Sequence, residues 1–218
     1  MRRAALALTL AAGLVPAIAQ AHPHEFVEAA LTFRLDAEGR LVEIGVEWRY
    51  DPFTSMLILS DLGLNPAETD LPPDQAAALQ GFDLDWIEGY NGDLWPFLDD
   101  RALALGPPQG SPAEVIGGQV VSRHSRALLE PVDPRAGQFR VLVYDPEYYV
   151  AYTIAVPPAV EGGACRARVY GPDMEAAQAT LEAALAESAA AGAEDLELEF
   201  PMVGEHFADE VQLDCGGG

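Results

Sequence analysis

The chain is poor in basic side chains, with 12 Lys and Arg against 35 Asp and Glu and a formal charge of −23. Such a balance repels nucleic acid and anionic membranes and attracts cations, so neither nucleic acid nor an acidic lipid surface is an expected partner. Cysteine is nearly absent: Cys165 and Cys215 are the only two. In an exported chain a lone pair suits one disulfide. On the chain-entropy account, closing a loop of that span stabilises by roughly 4 kcal/mol. A thiolate metal pair is the alternative, but the spacing has nothing of a zinc motif. Catalytic signatures are missing too. There is no G-x-S-x-G, P-loop, H-E-x-x-H or dinucleotide glycine fingerprint. Beyond the first 21 residues no apolar run approaches twenty, so the sequence predicts a soluble mature protein without interdomain linkers or low-complexity segments.

What is present begins with a leader. Arg2 and Arg3 precede an almost wholly apolar run from Ala4 to Ala19, and Ala19-Gln20-Ala21 is a small-x-small exit. That order is the plan of a secretory signal peptide, residues 1–21, with residues 22–218 as a single exported domain. A cut after Ala19 also fits the rule, and a retained anchor is the other alternative. Loss of Arg2 and Arg3 takes the charge from −23 to −25.

Cleavage after Ala21 would leave His22-Pro23-His24 at the terminus. An α-amine titrates near pH 8, so a metal can displace its proton at neutral pH. With the imidazole of the same residue it closes a chelate, and a second imidazole completes a three-nitrogen brace. Such donors favour copper, nickel, cobalt or zinc over calcium or magnesium. Pro23 has no amide hydrogen to lose, which blocks the square-planar mode that runs through deprotonated backbone amides. A frayed terminus with two solvated histidines is the competing reading. His124 shares a strand face with Ser122 and Arg126. The guanidiniums keep it neutral, as a ligand must be, yet they also repel a metal ion. His206, in Glu205-His206-Phe207-Ala208-Asp209-Glu210, has carboxylates beside it if that turn is helical. Ordinary surface or core histidines are the alternatives for both. The loop Asp61 to Asp74 is not an EF-hand: Pro66 stands where glycine is needed and Pro72 where a bidentate glutamate is needed.

Period-two alternation predicts a hairpin of Phe26–Leu35 and Leu41–Tyr50, with Val42, Ile44, Val46 and Trp48 on one face. Asp51 caps an expected helix over 51–64, its apolar side being Phe53, Met56, Leu57 and Leu59. A short helix follows Pro72-Pro73-Asp74, and short strands and turns fill 81–118. A strand centres on Val120 and Val121. Gln138–Tyr144 and Tyr148–Val156 read as a second hairpin. Cys165–Tyr170 is a strand, Pro172-Asp173 opens a helix reaching about Ala190 and stopped by Gly192, and Leu196–Phe200 alternates like an edge strand. Tyr144, Asp145, Tyr148 and Tyr149 are a possible pocket or docking face. The whole reads as one α+β domain rich in antiparallel β-hairpins, sandwich-like, with short helices and one long C-terminal helix expected to pack on the sheet.

The segments HPHEF, VEWRYDPFTSMLILSDLGL, GFDLDWIEGY, SRHSRAL and VYDPEYYVAYTI together resemble a bacterial family of exported proteins, the domain of unknown function 1007 family. Its members are filed as the periplasmic component of an uncharacterised ABC-type transport system. The resemblance spans most of residues 22–170. It implies an association with metal transport, since such proteins are often encoded beside nickel/cobalt permeases of the exporter type. Some relatives carry an aspartate-rich loop where this chain has Asn65 to Asp74, so a calcium site does not carry over. The expectation is therefore a soluble periplasmic accessory protein that binds a divalent transition metal and serves an inner-membrane permease. A histidine-brace copper oxygenase and a non-catalytic interaction module are the alternatives.

Overall fold

A computed structural model describes residues 22–84, 86–87, 89–192 and 200–216. β1 (Glu25–Leu35) turns through Gly39, at φ 77°, into β2 (Leu41–Tyr50). The Asp36 carboxylate holds that turn by accepting from the backbone N–H of Glu38 and Arg40. Val27, Ala29, Leu31, Phe33 and Leu35 of β1 point inward, as period two demands. On β2 the inward set is Leu41, Ile44, Val46, Trp48 and Tyr50. Val42 is not in it, because the pairing slips between Leu41 and Glu43 and the bulge turns Val42 aside.

α1 (Pro52–Asp61) and α2 (Pro73–Leu79) follow. The Asp51 carboxylate caps α1 by accepting from Phe53 and Thr54. The buried face of α1 is not the expected one. Phe53 (60% exposed), Met56 and Leu57 face outward, while Thr54, Ser55 and Leu59 face inward. The cause is polar: the Ser55 hydroxyl donates to the Tyr50 carbonyl and accepts from the Val120 N–H, which docks that face on the sheet.

After β3 (Leu94–Leu98), β4 (Arg101–Ala102), β5 (Leu105–Gln109) and β6 (Ala113–Ile116) comes the longest strand, β7 (Gln119–Val132). β8 (Phe139–Val143), β9 (Val150–Thr153), β10 (Ala159–Glu161), β11 (Arg166–Tyr170), α3 (Met174–Ala191), a 3₁₀ turn at Gly204–Phe207 and β12 (Asp209–Asp214) complete the elements of the described residues. The first sheet runs β10-β1-β2-β7-β5, with β6 also on β7 and β9 also on β1; the second runs β11-β12-β8-β3-β4. The pairings are antiparallel except that β9 and β10 lie parallel to β1. The core lies between the sheets, where Phe33 meets Phe139 edge to face at 5.9 Å.

The segments read as a second hairpin, β8 and β9, sit in different sheets: β8 pairs with β3 and β12, and β9 with β1. Tyr148, at φ 55°, and Asp145 turn the chain from one layer to the other. α3 is capped by Asp173 and ended by Gly192 at φ 88°. Its narrow stripe of Ala177 and Leu181 packs with Val203 and with Phe207 of the 3₁₀ turn in a second, smaller cluster rather than in the intersheet core. An alanine-rich helix has little large apolar surface to offer a sheet, and a short turn matches it. The expected strand Leu196–Phe200 falls, except for Phe200, outside the described residues. A disulfide joins Cys165 to Cys215, just beyond the paired ends of β11 and β12. The C-terminal segment is no loose tail: β12 lies between β11 and β8.

Candidate metal end and a buried polar cluster

Two places gather chemistry-bearing side chains. The first is the start of β1. The His24 and Glu25 N–H groups both donate to the Tyr149 carbonyl, at 2.9 and 3.2 Å. Tyr149 is held in turn because the Asp145 carboxylate accepts from the N–H of Tyr149 (2.8 Å) and Val150 (3.0 Å). On this seat the His22 and His24 rings lie 4.8 Å apart, edge to face. The His22 ring is buried and stacks on Phe200 at 3.7 Å, and the His24 ring lies 4.7 Å from that of Tyr149. Burial, then the charges of Asp51 and Asp145, push the Glu25 carboxyl up from its ordinary range. That negative field suits a cation.

Among the described residues no three His, Cys, Asp or Glu side chains group to hold a metal. A metal at this end would therefore take two imidazoles and require a further donor. The α-amine of a chain starting at His22 is such a donor. The residues that decide this, 1–21, lie outside the described residues. Of the possible docking residues, Asp145 and Tyr149 form the seat. Tyr144 stacks on Trp95 (4.9 Å) and Tyr148 on Phe207 (4.0 Å), so both are packed against the body. His206 is exposed on the 3₁₀ turn and, among the described residues, makes no ring contact with the other histidines.

The second place is on the inner face of β7, where alternation puts Ser122, His124 and Arg126 into the core. Ser122 donates to Asp83. His124, 5% exposed, stands between Trp48 (4.8 Å) and Trp86 (5.5 Å), both edge to face. Among the described residues, neither of its ring nitrogens has a hydrogen-bond partner. Burial first, and the Arg126 charge second, pull its pKa down to about 4, so the ring is neutral at pH 7. It is thus remote from the His22 and His24 pair in contact terms and belongs to a different set. Arg126, also 5% exposed, donates to the carbonyls of Gly106 (2.6 Å) and Asn91 (2.5 Å) and lies 4.8 Å over the Trp86 ring. Asp93, 3% exposed, accepts from the hydroxyls of Tyr90 (2.7 Å) and Tyr152 (2.8 Å) through one oxygen, and among the described residues the other oxygen has no partner. Desolvation raises its pKa to about 6.

Sequence reasoning did not reach Asp93, Tyr90, Trp86 or Tyr152 as a group. Ser122 to Arg126 is an unbroken polar run, Ser-Arg-His-Ser-Arg, so alternation along β7 puts Ser122, His124 and Arg126 on one face without saying whether that face meets solvent or the core.

A family model described as "Protein of unknown function (DUF1007)" matches residues 7–215. No curated protein matches the chain.

Proposed function

The chain therefore belongs to the DUF1007 family, and from that premise we propose that it is an exported accessory protein that binds a divalent transition metal at its amino end. His22 and His24 supply imidazole nitrogens, and the α-amine of a mature chain beginning at His22 supplies a third. The observation that carries this reading is the 4.8 Å approach of the two rings on a seat built by Asp145 and Tyr149. A frayed terminus would have no such seat. The softness of nitrogen donors points to nickel, cobalt, copper or zinc rather than calcium or magnesium.

One further observation supports an extracytoplasmic setting: the Cys165–Cys215 disulfide suits an oxidising compartment. We place the protein in the periplasm, where it would exchange its metal with an inner-membrane permease, the partner that the family resemblance implies. The test is isothermal titration of nickel, cobalt, copper and zinc into chain beginning at His22. At least one of them binds with nearly one-to-one stoichiometry, and His24→Ala weakens that metal by about tenfold or more. Equal heats from the parent and the His24→Ala variant refute the site.

A further inference from the structure

We infer that the cleft walled by Leu84, Trp86, Tyr90, Leu105, Pro107 and Arg126 is a second binding site, separate from the amino end, for a small organic anion with a flat apolar body.

Arg34, Arg123 and Arg140, all more exposed, are ion-paired with Glu43, Glu47 and Glu210. Arg126 is the most deeply buried of these arginines, and among the described residues no carboxylate lies within 4.0 Å of it. Buried charges are normally paired, because desolvation is otherwise uncompensated. A guanidinium carries five N–H donors. Arg126 spends two, one on Gly106 and one on Asn91, and its face on Trp86. The donors left over belong to a side chain that lines a cleft of about 530 Å³. That volume lies in the range of small-ligand sites.

The rest of the wall names the ligand's other half. Trp86 and Tyr90 offer aromatic rings, and Leu84, Leu105, Pro107 and Pro108 offer aliphatic surface. Trp86 is held in place from behind, since Gly92 leaves no room for a Cβ under its ring. A carboxylate matches the guanidinium fork, and a planar apolar body matches the walls. A dianion is disfavoured, because the Asp93 carboxyl stands just behind the Tyr90 hydroxyl and the chain as a whole carries a charge of −23. The site is therefore tuned for one negative charge on an aromatic acid.

The experiment uses the whole mature chain with chelator present, so that the amino end plays no part. Benzoate and 1-naphthoate are titrated against their neutral counterparts, benzamide and 1-naphthamide, with calorimetry and indole fluorescence as readouts. The carboxylates bind, and each amide is weaker by about tenfold or more, because it cannot complete the charge pair. Arg126→Gln removes that discrimination. Since Arg126 also ties two backbone segments, a second variant is required. Pro107 is exposed at the rim, so Pro107→Glu leaves the fold intact and sets a competing carboxylate in the wall. In that variant carboxylate binding falls by about tenfold or more while the circular dichroism spectrum stays parental. Binding of the amides as tight as that of the acids, undiminished carboxylate affinity in Pro107→Glu, or no signal from either acid up to about 10 mM each overturns the site.

Discussion

The Tyr152 hydroxyl donates to the Asp93 carboxylate at 2.8 Å and ties the two sheets together from within. Tyr152 lies on β9 of the first sheet, and Asp93 immediately precedes β3 of the second. Tyr90 donates to the same oxygen. A buried carboxyl fed by two hydroxyls and still lifted to about pH 6 is a group whose burial outweighs its hydrogen bonds.

Asp93 and His124 pull the acid stability of the fold in opposite directions. The folded pKa of Asp93 rises from 3.8 to about 6, so its contribution is full below pH 4 and lost as the pH rises through 6. The folded pKa of His124 drops from 6.5 to about 4, so its contribution is full above pH 6.5 and lost as the pH falls through 4. Asp93→Asn should therefore gain stability relative to the parent between pH 4 and 7, and His124→Gln should lose it, each by about 2–3 kcal/mol across the window. Urea unfolding at half-unit steps of pH checks this. Variant curves parallel to the parental one contradict it.

Ser55 is a small residue with a large assignment. Its hydroxyl satisfies the Val120 N–H and the Tyr50 carbonyl at a fully buried point between α1 and β7. Ser55→Ala leaves the Val120 donor orphaned and should cost about 1–3 kcal/mol in urea unfolding. A change under about 0.5 kcal/mol would show that another acceptor takes over.

These two sites also show what the sequence made legible and what it did not. β1 and β2 were readable because each strand alternates over ten or more residues, and α3 because Asp173 and Gly192 mark both ends. The inward face of α1 was not. Counting apolar residues favours Phe53, Met56 and Leu57, whereas a single serine hydrogen bond to a strand 65 residues away settles the rotation. The β8–β9 hairpin was misread for the same reason. Its spacing allows a hairpin, but the true partner of β9 is β1, more than a hundred residues earlier. At the amino end the two histidines were visible as a pair, while the seat under them was not, because it links the Asp145 carboxylate and the Tyr149 carbonyl to backbone more than a hundred residues earlier. On β7 the shared face of Ser122, His124 and Arg126 was legible. That it faces Trp86, Tyr90 and Asp93 depends on a loop with no periodicity.

Asp145 should act on metal affinity without touching the metal. Its carboxylate holds Tyr149, whose carbonyl holds His24. Asp145→Ala frees that chain of contacts and should weaken metal binding by about tenfold or more, and Asp145→Asn, which keeps an acceptor, should restore part of it. Calorimetry on the two variants decides. Equal affinity in Asp145→Ala and the parent would show that the seat plays no part.

Reduction of the disulfide should loosen the second sheet at its edge. Cys215→Ser lengthens the unfolded chain's freedom over a separation of 50 residues and should cost roughly 4 kcal/mol. Urea unfolding of the oxidised parent and the variant measures the difference. An identical midpoint would mean that pairing of β12 with β8 and β11 already accounts for the order of that end.

The central claim is that the metal is gripped by an amine and an imidazole of one residue. Calorimetry compares two preparations beginning at His22, one with a free α-amine and one with that amine acetylated, with nickel, cobalt, copper and zinc. The account predicts tight binding of at least one metal to the first and a loss of about a hundredfold in the second, since an acetylated nitrogen has no lone pair to give the metal. Equal affinities in the two preparations, or no heat in either, contradict it.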